Sequence, residues 1–155
     1  VLGCYAAGAH SVSDAYLTLV ADKSGVLHGQ WDIALRDLDF AIDLDKDGQG
    51  HLTWGEVRRS RARIEDYAYR FLKFDAGSRN HCVITPLKQM IDQHADGAYA
   101  ALMFDVTCAG AASITLNYNL FFAIDPSHRA IFVGRKGDDV ATAVLAPQNS
   151  TIVLP

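Results

Sequence analysis

Turn signals punctuate the second half of this chain at short intervals. Gly110, Asp125-Pro126-Ser127, Lys136-Gly137-Asp138-Asp139 and Pro147-Gln148-Asn149-Ser150 separate stretches with β-forming composition. These stretches are Ala98–Cys108, Ser113–Asp125, Ala130–Arg135, Val140–Leu145 and Thr151–Leu154. In the long one, Ile114, Leu116, Tyr118, Leu120 and Phe122 alternate with their neighbours and share one face of an extended chain. Short strands cannot bury such a face alone, so the pattern predicts a mainly β fold, an antiparallel β-sandwich.

The first half adds a hairpin and an interruption. Tyr16–Val20 and Val26–Leu35 are strand-like, with Asp22-Lys23-Ser24-Gly25 as the turn between them. From Arg36 to Leu44 the apolar residues Leu38, Ala41 and Ile42 fit a short helix. Thr53–Phe74 then reads as one long helix with Val57, Ile64, Ala68, Phe71 and Leu72 on a single face. The sandwich therefore carries a helical insert at about residues 36–74 within a single domain spanning 10–155. Arg58, Arg59, Arg61 and Arg63 crowd that helix, but Glu65 and Asp66 interrupt them, which fits a solvated face better than a nucleic-acid surface.

Between the two helical segments lies Asp45-Lys46-Asp47-Gly48-Gln49-Gly50-His51-Leu52-Thr53-Trp54-Gly55-Glu56. The spacing resembles an EF-hand loop, in which oxygen donors surround a hard cation at fixed turns. Asp45, Asp47 and Gln49 hold positions 1, 3 and 5. Gly50 provides the sharp turn at position 6, and His51 offers its carbonyl at position 7. Thr53 occupies position 9, and Glu56 at position 12 supplies a two-oxygen carboxylate. Calcium is the expected cofactor, with Asp45, Asp47, Gln49, His51, Thr53 and Glu56 as its ligands. Gln49 stands where Asp or Asn is usual, which weakens the expected affinity toward the micromolar-to-millimolar range. Asp92–Tyr99 imitates the start of a second loop, but Met103 falls at its twelfth position. A tight turn is the better reading there. Thr53 and Glu56 also form a helix-capping box.

The 155 residues carry 14 Lys+Arg against 18 Asp+Glu, which gives no electrostatic case for binding nucleic acid. No apolar run is long enough to span a bilayer as a helix. Residues 1–9 are small and apolar, and Ala7-Gly8-Ala9 resembles a signal-peptidase site. A leader over 1–9 would place the mature domain in the periplasm or outside the cell. In that compartment Cys82 and Cys108 are the natural disulfide pair, leaving Cys4 odd.

Histidines supply a second possible chemistry. Asp92 with His94, Asp125 with His128, and His10 are candidates for a nickel- or copper-type site should the fold bring them together. No nucleophile elbow, P-loop or dinucleotide fingerprint is present, so the expectation is a non-enzymatic protein.

Several stretches share a wider resemblance. They are His10 with Ser13, Ala15, Tyr16 and Leu17; Gly29–Asp39; Leu52–Glu56; Asp92, His94, Asp96, Gly97 and Tyr99; and Asp125, Pro126, His128 and Arg129. Together they resemble the exported N-terminal region of bacterial HupE/UreJ-type membrane proteins. That resemblance implies an extracytoplasmic domain tethered to a membrane part beyond Pro155, in a protein linked to nickel or cobalt uptake. The transmembrane portion, or a partner membrane protein, would be its partner besides the calcium ion. Three functions follow. The first is a calcium-binding accessory or interaction domain of a membrane metal transporter. The second is a transition-metal carrier or sensor. The third is a hydrolase-type enzyme with structural calcium.

Overall fold

Strand β1 (Asp14–Ala21) alternates strictly at its start, burying Ala15, Leu17 and Leu19 and leaving Tyr16 and Thr18 half-covered. It pairs with β2 (Leu27–Ala34) as the antiparallel hairpin expected, with Leu17 opposite Trp31. Asp22 closes the turn by accepting the Ser24 and Val26 amides on one carboxylate oxygen. These features come from a computed structural model that describes residues 12–77, 81–110 and 113–154. Residues 1–9, expected to form a leader and including Cys4, lie outside the described residues, as does His10.

The chain then turns helical. Helix α1 (Leu35–Ile42) buries Leu35 and Leu38. Helix α2 (Trp54–Arg59) and helix α3 (Arg61–Ala68) follow the acidic loop, and a 3-10 turn at Tyr69–Phe71 leads into β3 (Leu72–Ala76). The single helix expected over Thr53–Phe74 is thus divided at Ser60 and ends early. Leu72, Phe74 and Ala76 are buried while Lys73 faces out. That period-two burial against the shared core overrides the helical pattern upstream.

Six further strands complete two sheets: β4 (Val83–His94), β5 (Gly97–Thr107), β6 (Ile114–Tyr118), β7 (Arg129–Lys136), β8 (Asp139–Leu145) and β9 (Thr151–Val153). The larger sheet has the order β4-β5-β2-β1-β7-β8, and the smaller has β3-β6-β9. The fold is mainly β with an inserted helix-loop-helix. The purely antiparallel sandwich is corrected, because β1 and β7 run parallel with Leu17 beside Phe132. β7 reaches the middle of the sheet by a crossover rather than a hairpin, and the two sheets are unequal.

Trp31, Leu17, Ile33, Phe104 and Phe132 of the large sheet meet Phe74, Leu116 and Tyr118 of the small one in a shared core. Trp31 packs edge-on to Tyr118 with centroids 5.6 Å apart. Gly29 is required beneath Phe104, since a Cβ there would lie 2.3 Å from the ring.

The strand expected over Ser113–Asp125 stops at Tyr118. Beyond it the chain coils, and Phe121 adopts φ 62°. Leu120 and Phe121 are both buried in this turn, outside either sheet. The Cys82–Cys108 disulfide forms as expected. It closes the open end of the β4–β5 hairpin, where Val83 sits opposite Thr107. Ala95-Asp96 forms the turn at the other end. Among the described residues no helix is long and apolar enough to cross a membrane.

Candidate metal centres

The acidic loop is organised by its own amides. Asp39, in α1, accepts the Leu44 and Asp45 N–H groups at 2.7 and 2.9 Å, so the helix fixes where the loop begins. Asp45 accepts the Gly50 amide at 2.7 Å, and Asp47 accepts that of Gln49 at 3.1 Å. Gly48 and Gly50 take φ 67° and 80°, a region that favours glycine. At the far end Thr53 and Glu56 form the capping box. The Thr53 amide and hydroxyl both donate to Glu56 Oε2, at 2.9 and 2.8 Å. These bonds hold the Glu56 carboxyl below its ordinary range. Burial acts to raise Asp45, but the Gly50 amide and its neighbours outweigh it and the net shift is downward.

One oxygen each of Asp45, Asp47 and Glu56 lie within 4.8 Å of one another, a set able to chelate a cation. Of the other residues expected there, Gln49 is exposed, the His51 ring turns toward the Gln49 carbonyl at 3.4 Å, and the Thr53 hydroxyl is engaged by Glu56.

A second cluster forms on the outer face of the large sheet. Trp31 and Ile33 of β2 point into the core, so Asp32 between them points the other way. There it meets β4, two strands across the sheet. His94 Nε2 lies 3.0 Å from Asp32 Oδ2 and 4.0 Å from Asp92 Oδ2. The ligand atoms of Asp32, Asp92 and His94 all fall within 4.8 Å of one another. Asp32 is 6% exposed and also accepts from the Gln30 side-chain Nε2 at 2.9 Å. Aromatic rings set the imidazole plane. Tyr16 stacks on His94 at 4.7 Å and 14°, and Tyr99 lies 4.2 Å away at 43°. The Tyr99 hydroxyl donates to Asp96, which faces Arg36 at 3.5 Å.

This set differs chemically from the loop. An imidazole nitrogen with two carboxylates suits borderline divalent transition ions, whereas an all-oxygen set suits calcium or magnesium. The pairing of Asp92 with His94 was visible in the sequence. Asp32 was not, because one Asp in an apolar strand carries no spacing signal.

The pairing of Asp125 with His128 does not form a metal cluster. His128 is fully buried, and both its ring nitrogens are engaged. Ser13 Oγ donates to Asp37 at 2.7 Å, so at 2.6 Å it can only accept from His128 Nδ1. Nε2 then accepts from Tyr118 at 2.8 Å. Protons are thus ordered along Tyr118, His128, Ser13 and Asp37. A hydrolytic triad instead places the carboxylate on the imidazole. Burial lowers the His128 pKa to about 4. Asp125 instead accepts the Ser127 amide and hydroxyl.

No protein-family model matches this chain, and no curated protein matches it by sequence.

Proposed function

We propose that this chain is a non-catalytic, extracytoplasmic accessory domain that binds a divalent transition cation through Asp32, Asp92 and His94. The observation that carries this reading is the imidazole nitrogen held 3.0 Å from one carboxylate and 4.0 Å from another. Nickel, cobalt, copper and zinc all accept such a mixed donor set. The role is that of a carrier or sensor. The disulfide supports an oxidising compartment. The resemblance to HupE/UreJ-type proteins supports a membrane metal transporter as the partner.

A second reading, favoured by the Asp45–Asp47–Glu56 geometry, places calcium in the 45–56 loop with Gln49, His51 and Thr53 completing the shell. The two are compatible, since calcium would set the angle between α1 and α2 while the other cluster handles cargo.

Calorimetric titration of metal-stripped protein with Ni²⁺, Cu²⁺, Zn²⁺ and Ca²⁺ tests both. The transition-metal reading expects one saturable site, weakened at least about tenfold in His94→Ala. Loss of Ni²⁺, Cu²⁺ and Zn²⁺ binding in the unmodified protein would refute it. Calcium binding lost in Glu56→Gln supports the second reading, and no response to millimolar calcium opposes it.

A further inference from the structure

Three protein donors leave a divalent transition ion incomplete, because tetrahedral coordination takes four and octahedral six. Several neighbouring polar groups are already engaged. The Tyr99 hydroxyl donates to Asp96, Asp96 faces Arg36, and the Gln30 side-chain Nε2 donates to Asp32. Tyr16 and Tyr99 cover two sides of the imidazole. The open side is that of Asp92, whose side chain is 54% exposed.

Asp92 joins the cluster to a groove. Its Oδ2 faces His94, while its Oδ1 accepts the Gln93 amide at 2.8 Å. β4 is an edge strand, and between it and α2 runs a groove of about 510 Å³ lined by Trp54, Arg58, Met90, Asp92 and Gln93 among others. Asp92 is the one acidic residue lining it, and Arg58 the one basic residue. Arg58 is exposed and enters none of the ion pairs among the described residues. A planar guanidinium beside an indole wall suits a carboxylate-bearing small molecule.

A bare anion would meet Asp92 and be repelled, and a bare cation would gain nothing from Arg58. A ligand carrying both a divalent cation and surplus carboxylates satisfies both ends. Resting on the transition-metal reading above, we propose that the cation binds here as a chelate with a small polycarboxylate. Asp32, Asp92 and His94 would share the metal, and Arg58 would hold a free carboxylate arm. The chelator would fill the coordination positions that the protein leaves open.

Equilibrium dialysis of the protein with Ni²⁺ and radiolabelled citrate tests this. The expected result is one citrate retained per bound nickel, none without nickel, and retention at least about tenfold weaker in Arg58→Gln. Three results would overturn the proposal: nickel retained from citrate-containing buffer with no citrate accompanying it, citrate retained equally without nickel, or undiminished citrate retention in Arg58→Gln. Failure to retain nickel even in citrate-free buffer would instead refute the transition-metal reading, and this inference with it.

Discussion

His94 Nε2 and Asp32 Oδ2 lie 3.0 Å apart although 62 residues separate them in the chain. Strand order creates the contact, because β5 brings β4 alongside β2 and leaves both residues on the outer face. Asp32→Asn keeps the side-chain volume and a partner for Gln30 but removes the charge. It is expected to lower transition-metal affinity at least about tenfold. The melting temperature should move by only a few degrees. Parallel calorimetric and thermal titrations separate those effects.

Tyr16 lies opposite Asp32 in the β1–β2 ladder and stacks on the His94 ring. A partner that orients a ligand can matter for affinity nearly as much as the ligand itself. Tyr16→Leu should weaken metal binding about tenfold while leaving stoichiometry at one. An affinity unchanged in that variant would mean that the ring needs no such support.

Glu56 has two roles that one substitution separates. Gln at the third helical position can still cap the Thr53 amide. Glu56→Gln is therefore expected to keep α2 and the overall stability within about 1 kcal/mol while abolishing calcium binding. Circular dichroism and calcium calorimetry on the same preparation check both halves.

Two histidines give stability opposite pH dependences. The His128 pKa of about 4 lies below its ordinary 6.5 because burial excludes the charged form. Between those values the unfolded chain binds a proton that the folded chain refuses. Stability contributed by His128 is therefore intact above pH 6.5 and falls as pH drops toward 4, by roughly 3 kcal/mol. His28 is raised, chiefly by Asp105 and then by Asp22. Its contribution is full below pH 6.5 and fades as pH rises through the raised value. Urea denaturation across a pH series should show both slopes, with Asp105→Asn flattening only the alkaline one.

The Cys82–Cys108 bond closes the end of the β4–β5 hairpin opposite the turn that follows His94. Replacing both cysteines with serine should cost about 3 kcal/mol, by the loop-closure argument for a separation of this order. Metal affinity should change less than about threefold, since the ligands sit at the far end of the hairpin. Denaturation and metal titration of the double variant test the two together.

Local patterns in the sequence were legible where one residue's neighbours decide its state. The β1–β2 hairpin, α1, the turn before Gly97 and the disulfide pair follow from alternation, turn residues and spacing. β4 was hidden because it is an exposed edge strand with little alternation. Its Pro86 is tolerated at a register shift beside Lys88. Leu72–Ala76 joins a sheet because β6 is waiting beside it, which no local propensity encodes. The parallel pairing of β1 with β7 is likewise a property of the whole topology. For the same reason the acidic loop was visible as a contiguous motif, whereas Asp32 became a candidate ligand only once three strands were assembled. His128 looked like an available ligand in sequence, but burial with Ser13 and Tyr118 gives it a structural task.

Electron spin-echo spectroscopy of the protein loaded with one equivalent of Cu²⁺ tests the central claim most directly, because it detects the remote nitrogen of a coordinated imidazole. The account predicts modulation from a single imidazole that disappears in His94→Gln. Modulation that persists in that variant, or copper bound without any imidazole signal, would contradict the assignment of the Asp32–Asp92–His94 site.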